Sequence, residues 1–316
     1  MALFRRWGMF FALNILVVVT LSVLTRALGL DRAISRQGLN PGALMGFCLV
    51  WGMGGALISL ALSRVIAKMS MGVRLIDPLQ AGGRGAFVHA TVARLAAQAG
   101  LPCTPEVGIY DAPEINAFAT GPTRSRALVA VSSGLLACMR DDEVAGVLAH
   151  EVSHIANGDM VTMTLLQGVV NAFAMFLARA IAWALAQARS QDRDGERGGS
   201  GGLGAYFLVQ MLLEFVFLGL GSLLVAWFSR LREFRADAGG AALAGTGAMV
   251  AALQRLRGDL AEASEPPAEA AATAGVRTLQ ISGRPSRWLE LLSSHPPLQT
   301  RIARLQQGRG AGGIVL

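Results

Sequence analysis

Four long apolar runs, residues 7–29, 43–66, 161–187 and 203–229, limit what this chain can fold into. Each is long enough to cross a bilayer as a helix, which takes about 20 mostly apolar residues. Four such runs cannot all be buried inside an ordinary water-soluble domain of a 316-residue chain. The composition points the same way. Hydrophobic residues make up 53% and charged residues only 16%, where a soluble domain carries about 25% charged residues. So high an apolar content also excludes a disordered chain. The first run follows Arg5 and Arg6 and has no small-residue cleavage site. It is longer than the apolar core of a signal peptide, so it is expected to be retained as a span.

The runs pair into two hairpins. Residues 1–68 are expected to form an N-terminal transmembrane hairpin, and residues 161–229 a second one. Two polar stretches, 69–160 and 230–316, are left to build a soluble body. Lys and Arg near the span ends set the orientation. Arg5, Arg6, Arg64, Lys68, Arg74, Arg230, Arg232 and Arg235 fall on one side, and Arg32, Arg36, Arg189, Arg193 and Arg197 on the other. The bias favours cytoplasmic termini and a cytoplasmic soluble body. Arg179 and Glu214 lie inside the third and fourth spans at similar depths. Either they form an intramembrane ion pair, since an unpaired charge there is costly, or Arg179 snorkels and Glu214 faces a wet crevice. A channel or transporter would need ionisable residues spread through the bundle at mid-membrane depth, and only these two qualify.

The net charge of +7 is scattered, with no basic block and no interleaved aromatics, so nucleic acid is not an expected partner. Cys48, Cys103 and Cys138 have neither metal-type nor disulfide-type spacing, as suits a reducing compartment. Loop 188–202 is polar and Gly-rich, segment 258–286 contains a low-complexity Ala/Glu/Pro stretch, and the tail is Gly-rich. None of them suggests a chemistry.

Stretch 69–160 reads as mixed α and β. Residues 87–101 have helical apolar spacing. Residues 106–110, 115–121 and 127–136 read as short β-type runs broken by Asp111, Pro113, Gly121 and Pro122. A helix follows, starting near Asp141 or Asp142, and carries His-Glu-Val-Ser-His over residues 150–154. Histidines at i and i+4 share one helix face, so His150 and His154 can reach one metal ion. Neutral imidazole is a good Zn²⁺ ligand. Glu151, between them, is placed to accept a proton from a hydrolytic water. The surrounding helix is apolar, and unpaired polar groups on a buried face would be costly. A catalytic zinc needs a third protein ligand. Glu233 and Asp237, also i and i+4, are candidates. Glu233 would ligate, and Asp237 would accept a hydrogen bond from the far nitrogen of a ligand histidine. The same spacing also suits a pair of surface charges partnered by Arg232 and Arg235. His89 belongs to no motif.

HEVSHIANGDM before a span, SRLREFRADAGG (229–240) after another, NAFATGP (116–122) and SHPPLQTRIARL (294–305) together resemble the HtpX-type membrane zinc metalloproteases. These share a broad group with the CAAX-prenyl endoproteases, which typically carry more spans. The resemblance covers nearly the whole chain. It implies an α-helical membrane protein of about four transmembrane helices with an α+β, zincin-like cytosolic protease domain. It implies one Zn²⁺ held by His150, His154 and Glu233, with Glu151 as general base. Asn116, Ala117, Phe118, Ala119 and Thr120 would form an edge strand to which an extended substrate adds by main-chain hydrogen bonds. His295 and Arg301 would stabilise the oxyanion, or else serve as a rigid turn and a carboxylate's partner. The implied work is endoproteolytic quality control, under stress, of misfolded or damaged membrane proteins in a bacterial inner membrane, alongside other quality-control proteases. An inactive scaffold would be expected to lack Glu151 or a ligand, and all are present.

Overall fold

The computed structural model describes residues 38–80, 82–191, 201–264 and 295–308, and before them residues 19–20, 23, 26–27 and 34–35. Most of the run at 7–29, most of the loop at 188–202, much of segment 258–286 and the tail beyond 308 lie outside the described residues.

A two-stranded ribbon, β1 (Ile34–Ser35) and β2 (Gly38–Leu39), precedes helix α1 (Pro41–Met71). Strand β3 (Arg74–Leu75), helix α2 (Gly83–Gln98) and strands β4 (Glu106–Tyr110), β5 (Ala117–Thr123) and β6 (Arg126–Ser132) follow. Then come helices α3 (Ser133–Cys138), α4 (Asp141–Asn157), α5 (Asp159–Gln191), α6 (Gly201–Ala244), α7 (Thr246–Ser264) and α8 (Leu298–Gln306). The chain divides into two compact units. One comprises residues 1–62 and 161–225, the other residues 63–160 and 226–316.

The first unit is helical. Helices α1, α5 and α6 are each long and apolar enough to cross a membrane. They contain the runs at 43–66, 161–187 and 203–229. Small residues let α1 and α5 approach closely. A Cβ on Gly52 would lie 2.5 Å from the backbone nitrogen of Ala172, the kind of contact that replaces hydrophobic driving force between helices in lipid. Arg179 Nη1 lies 3.6 Å from Glu214 Oε2, with its guanidinium 5.4 Å from the centre of the Phe47 ring. The ion-pair alternative therefore describes this arrangement, and an aromatic face adds a cation–π contact. Phe207, Met211 and Phe215 on α6 remain exposed, Phe215 by 78%. Such a helix side is at home in lipid and not in water.

The second unit is α+β. Its sheet has the order β3-β4-β6-β5. β4 and β6 run parallel, while β3 and β5 are antiparallel to their neighbours. Strand β6 is buried from Ala127 to Ser132, which is why it reads as an unbroken apolar run rather than an alternating one. Val88, Val92 and Leu95 of α2 and Leu148, Val152 and Ile155 of α4 share one core cluster with Val129 and Val131 of β6. The β-type reading of residues 127–136 is corrected here, since the strand stops at Ser132. The Ser132 side chain accepts a hydrogen bond from the Leu135 amide at 3.0 Å and caps α3, a local bond that competes with strand continuation.

Helix α4 begins at Asp141, and the Glu143 carboxylate reaches back to accept from the Arg140 amide at 2.8 Å. Its three acidic residues in the first turn suit the positive end of the helix dipole. Gly158 ends the helix in the left-handed region at φ 69°, where a side chain would be strained. The resulting sharp turn starts α5 at Asp159.

Candidate metalloprotease site

All residues of this site belong to the second unit. Helix α4 presents His150 and His154 one turn apart, with ring centroids 4.6 Å apart and planes nearly perpendicular. Their Nε2 atoms face each other at 3.1 Å. Helix α6 brings up Glu233, which is fully buried. Its carboxylate oxygens lie 3.5 Å from His150 Nε2 and 3.3 Å from His154 Nε2. One donor atom from each of the three residues falls within 4.8 Å of the other two.

The far ring nitrogens explain why this cluster suits a cation. His150 Nδ1 lies 3.0 Å from Asp237 Oδ1, and His154 Nδ1 lies 2.6 Å from Asp159 Oδ2. A carboxylate accepts there, so each Nδ1 carries the donating hydrogen. Each Nε2 of a neutral ring then offers a lone pair toward the other and toward the Glu233 carboxylate. Three electron-rich atoms converge here, a donor set that suits a divalent cation such as zinc. Burial disfavours the charged His154 ring, yet the Asp159 and Glu233 contacts prevail and raise its pKa to about 9. His150 is likewise raised against its burial, by Asp237 and Glu233.

Two further groups surround the cluster. Arg301 on α8 is 7% exposed and grips Asp237 with two hydrogen bonds, Nε to Oδ2 at 2.8 Å and Nη2 to Oδ1 at 2.6 Å. Its remaining nitrogen, Nη1, lies 3.6 Å from Glu233. Arg301 is thereby committed to Asp237, as the carboxylate-partner alternative expects. His295, just before α8, places Nδ1 2.8 Å from Glu233 Oε2 while its side chain stays 63% exposed. Glu151 is half-buried and lines one cavity with His150, Glu233, His295 and Arg301.

Asn116 and Ala117 line the same cavity. Asn116 lies just before β5, and its backbone bonds to Ser132. Ala117, Phe118, Ala119 and Thr120 pair with β6. Among the described residues the other edge of β5 has no strand partner. His89 sits half-buried on α2, apart from the cluster.

Asp159 escaped the sequence reading. It is 1% exposed and bonded to a candidate ligand. The signal was available: an acidic residue directly after a helix-ending glycine, five positions beyond His154. Asp159→Asn is expected to lower zinc affinity 10–100-fold, the usual effect of losing a carboxylate behind a ligand histidine. Competition titration against a chelator measures this. Unchanged affinity would show that Asp159 does not orient the ring.

The approach of α6 to α4 depends on Gly239, where an added Cβ would lie 2.1 Å from Ser153 Oγ. Gly239→Val is expected to cost about 1–3 kcal/mol, as overpacking does, and to weaken zinc binding by displacing Glu233. Thermal unfolding and zinc titration of the variant check both effects, and wild-type values would refute the close-packing account.

Comparison with known proteins agrees with this geometry. Residues 84–309 match Peptidase family M48. The chain is 48% identical over 305 residues to Protease HtpX of Aeromonas hydrophila and 44% identical over 306 residues to the Protease HtpX homolog of Methylacidiphilum infernorum. Each alignment covers 96% of this chain and 99% of the relative. The fold resembles the crystal structure of S. mikatae Ste24p with a TM-score of 0.60 at 16% identity, covering 95% of this chain and 66% of that one. On this sequence match and these relatives, the chain belongs to peptidase family M48, as an integral membrane metalloprotease related to HtpX.

Proposed function

We propose that this protein is a zinc-dependent endopeptidase of a bacterial inner membrane. It cleaves misfolded or damaged membrane proteins at the cytoplasmic face, as part of stress-linked quality control. The observation that carries the reading is the His150–His154–Glu233 cluster beside Glu151 and an open strand edge. His150, His154 and Glu233 would hold the metal. When bound, a zinc ion polarises the scissile carbonyl and lowers the pKa of water toward about 7.

The chain's own groups do the rest. Asp237 and Asp159 keep both imidazoles in the tautomer that turns Nε2 inward. Arg301 holds Asp237 in place and offsets buried negative charge. Glu151 takes a proton from the attacking water and delivers it to the departing amine nitrogen. His295 has an exposed ring beside Glu233 and is placed to donate to the oxyanion. The edge of β5 away from β6, which has no strand partner among the described residues, holds substrate in extended form through its backbone. Backbone reading of this kind is indifferent to most side chains and suits unfolded polypeptide. The arginine and lysine bias near the spans supports the cytoplasmic side.

The test is a destabilised multi-pass substrate with cleavable, tagged loops on both sides of the membrane, co-expressed with the wild type or Glu151→Gln. Fragments ending in cytoplasmic loops, made by the wild type only, are the expected result. Cuts confined to the outer loops would overturn the orientation, and cuts made equally by both forms would overturn the assignment.

A further inference from the structure

One wall of the active-site cavity takes no part in the chemistry derived above. The cavity is about 130 Å³, close to the ~150 Å³ apolar hole that holds a benzene ring. Glu151 and the His150–Glu233 pair line one part of it. Apart from His295, Arg301 and Asn116, the rest is hydrocarbon, chiefly Val147 from the turn of α4 before His150, Leu135 from α3, and Met249, Leu253 and Leu256 from α7. Met249 and Leu253 are 1% and 2% exposed and so form a fixed floor, while Val147 and Leu256 are half-buried at its sides.

A chain extended along β5 passes Asn116 and Ala117, which line this cavity too. Its scissile bond must come within reach of Glu151. A side chain next to that bond can therefore turn into this half-open cleft. Of the groups it meets there, those beyond the catalytic set are almost all hydrocarbon. A charged or amide side chain would lose its water without gaining a partner, whereas an aliphatic one buries its surface favourably.

We propose that this cavity is a specificity pocket for an aliphatic side chain, of leucine or methionine size, flanking the scissile bond, and that Leu256, on its side wall, sets its width. The inference rests on the peptidase reading and names the substrate feature that reading leaves open. Segments cut by this enzyme are then apolar stretches such as those of membrane proteins, even though the strand edge reads only backbone. Helix α7 thereby acquires a role that its sequence did not signal.

The experiment uses the full-length, detergent-purified, zinc-loaded enzyme and a library of unfolded peptides varied at both positions flanking the cut, read by mass spectrometry. Wild type is expected to prefer Leu and Met at one flanking position, with Ala slower by roughly tenfold or more and Asp or Lys slower still. Leu256→Ala should shift the preference toward Phe, and Leu256→Trp toward Ala. Opposite shifts from one position cannot come from misfolding, which would slow every peptide alike. Cleavage with the same flanking preference in all three proteins, or with no aliphatic preference in wild type, would overturn the pocket while leaving the peptidase reading intact. Absence of cleavage of every peptide by zinc-loaded wild type would instead overturn the peptidase reading, and the pocket with it.

Discussion

Replacing Arg301 with methionine is expected to destabilise the metal-free protein by about 3–5 kcal/mol, the cost of removing one partner from a buried ion pair. Arg301 is 7% exposed and Asp237 2% exposed, and their contact is bidentate. Methionine fills similar space but leaves the Asp237 carboxylate with only His150, and it removes a positive charge 3.6 Å from Glu233. Two carboxylates then share a buried site with less compensation. Denaturant unfolding of the chelated protein in detergent measures the loss. Adding Asp237→Asn to Arg301→Met should recover a large part of it, because contacting residues are non-additive. A loss below about 1 kcal/mol would place the pair among solvent-screened surface bridges and would remove the argument that Arg301 positions Asp237.

Glu151→Gln is expected to reduce proteolysis 10²–10⁴-fold, the usual worth of a general base, while zinc affinity stays near wild type. Glutamine keeps the shape but cannot take the proton. Glu151 lines the cavity without belonging to the three-residue cluster, so metal binding and catalysis should separate at this position. Single-turnover cleavage of an unfolded protein and equilibrium zinc titration supply the two readouts. A variant that loses both together would make Glu151 a structural or ligating residue. One that loses neither would leave the general base unidentified.

Much of this architecture is written locally in the chain. The runs at 43–66, 161–187 and 203–229 lie within α1, α5 and α6 because span length and hydropathy are properties of short windows. The run at 7–29 has the same pattern but falls mostly outside the described residues. The His150–His154 spacing is helical and therefore legible. The proximity of Glu233 is not, since 79 residues separate it from His154 in sequence. Its spacing with Asp237 made it a candidate that suited surface charges equally well, and tertiary packing at Gly239 brings it to the histidines. The strand through residues 127–136 was read too long because Ser132 caps a helix whose apolar residues also suit a strand. Asp159 was missed because it belongs to no motif, although it follows the helix-ending Gly158 and bonds His154 at 2.6 Å. Arg301 could be read as an oxyanion group or as a carboxylate's partner, and only coordinates show its Nε and Nη2 both on Asp237.

The most direct test of the account is metal-restored proteolysis. The detergent-purified protein is stripped with a chelator, freed of it, and offered an unfolded test protein before and after addition of Zn²⁺. The account predicts no cleavage without metal, cleavage on reloading, and one zinc per chain lost when His150, His154 or Glu233 is replaced by alanine. Cleavage that persists in the chelated protein, or one bound zinc that survives all three replacements, would contradict it.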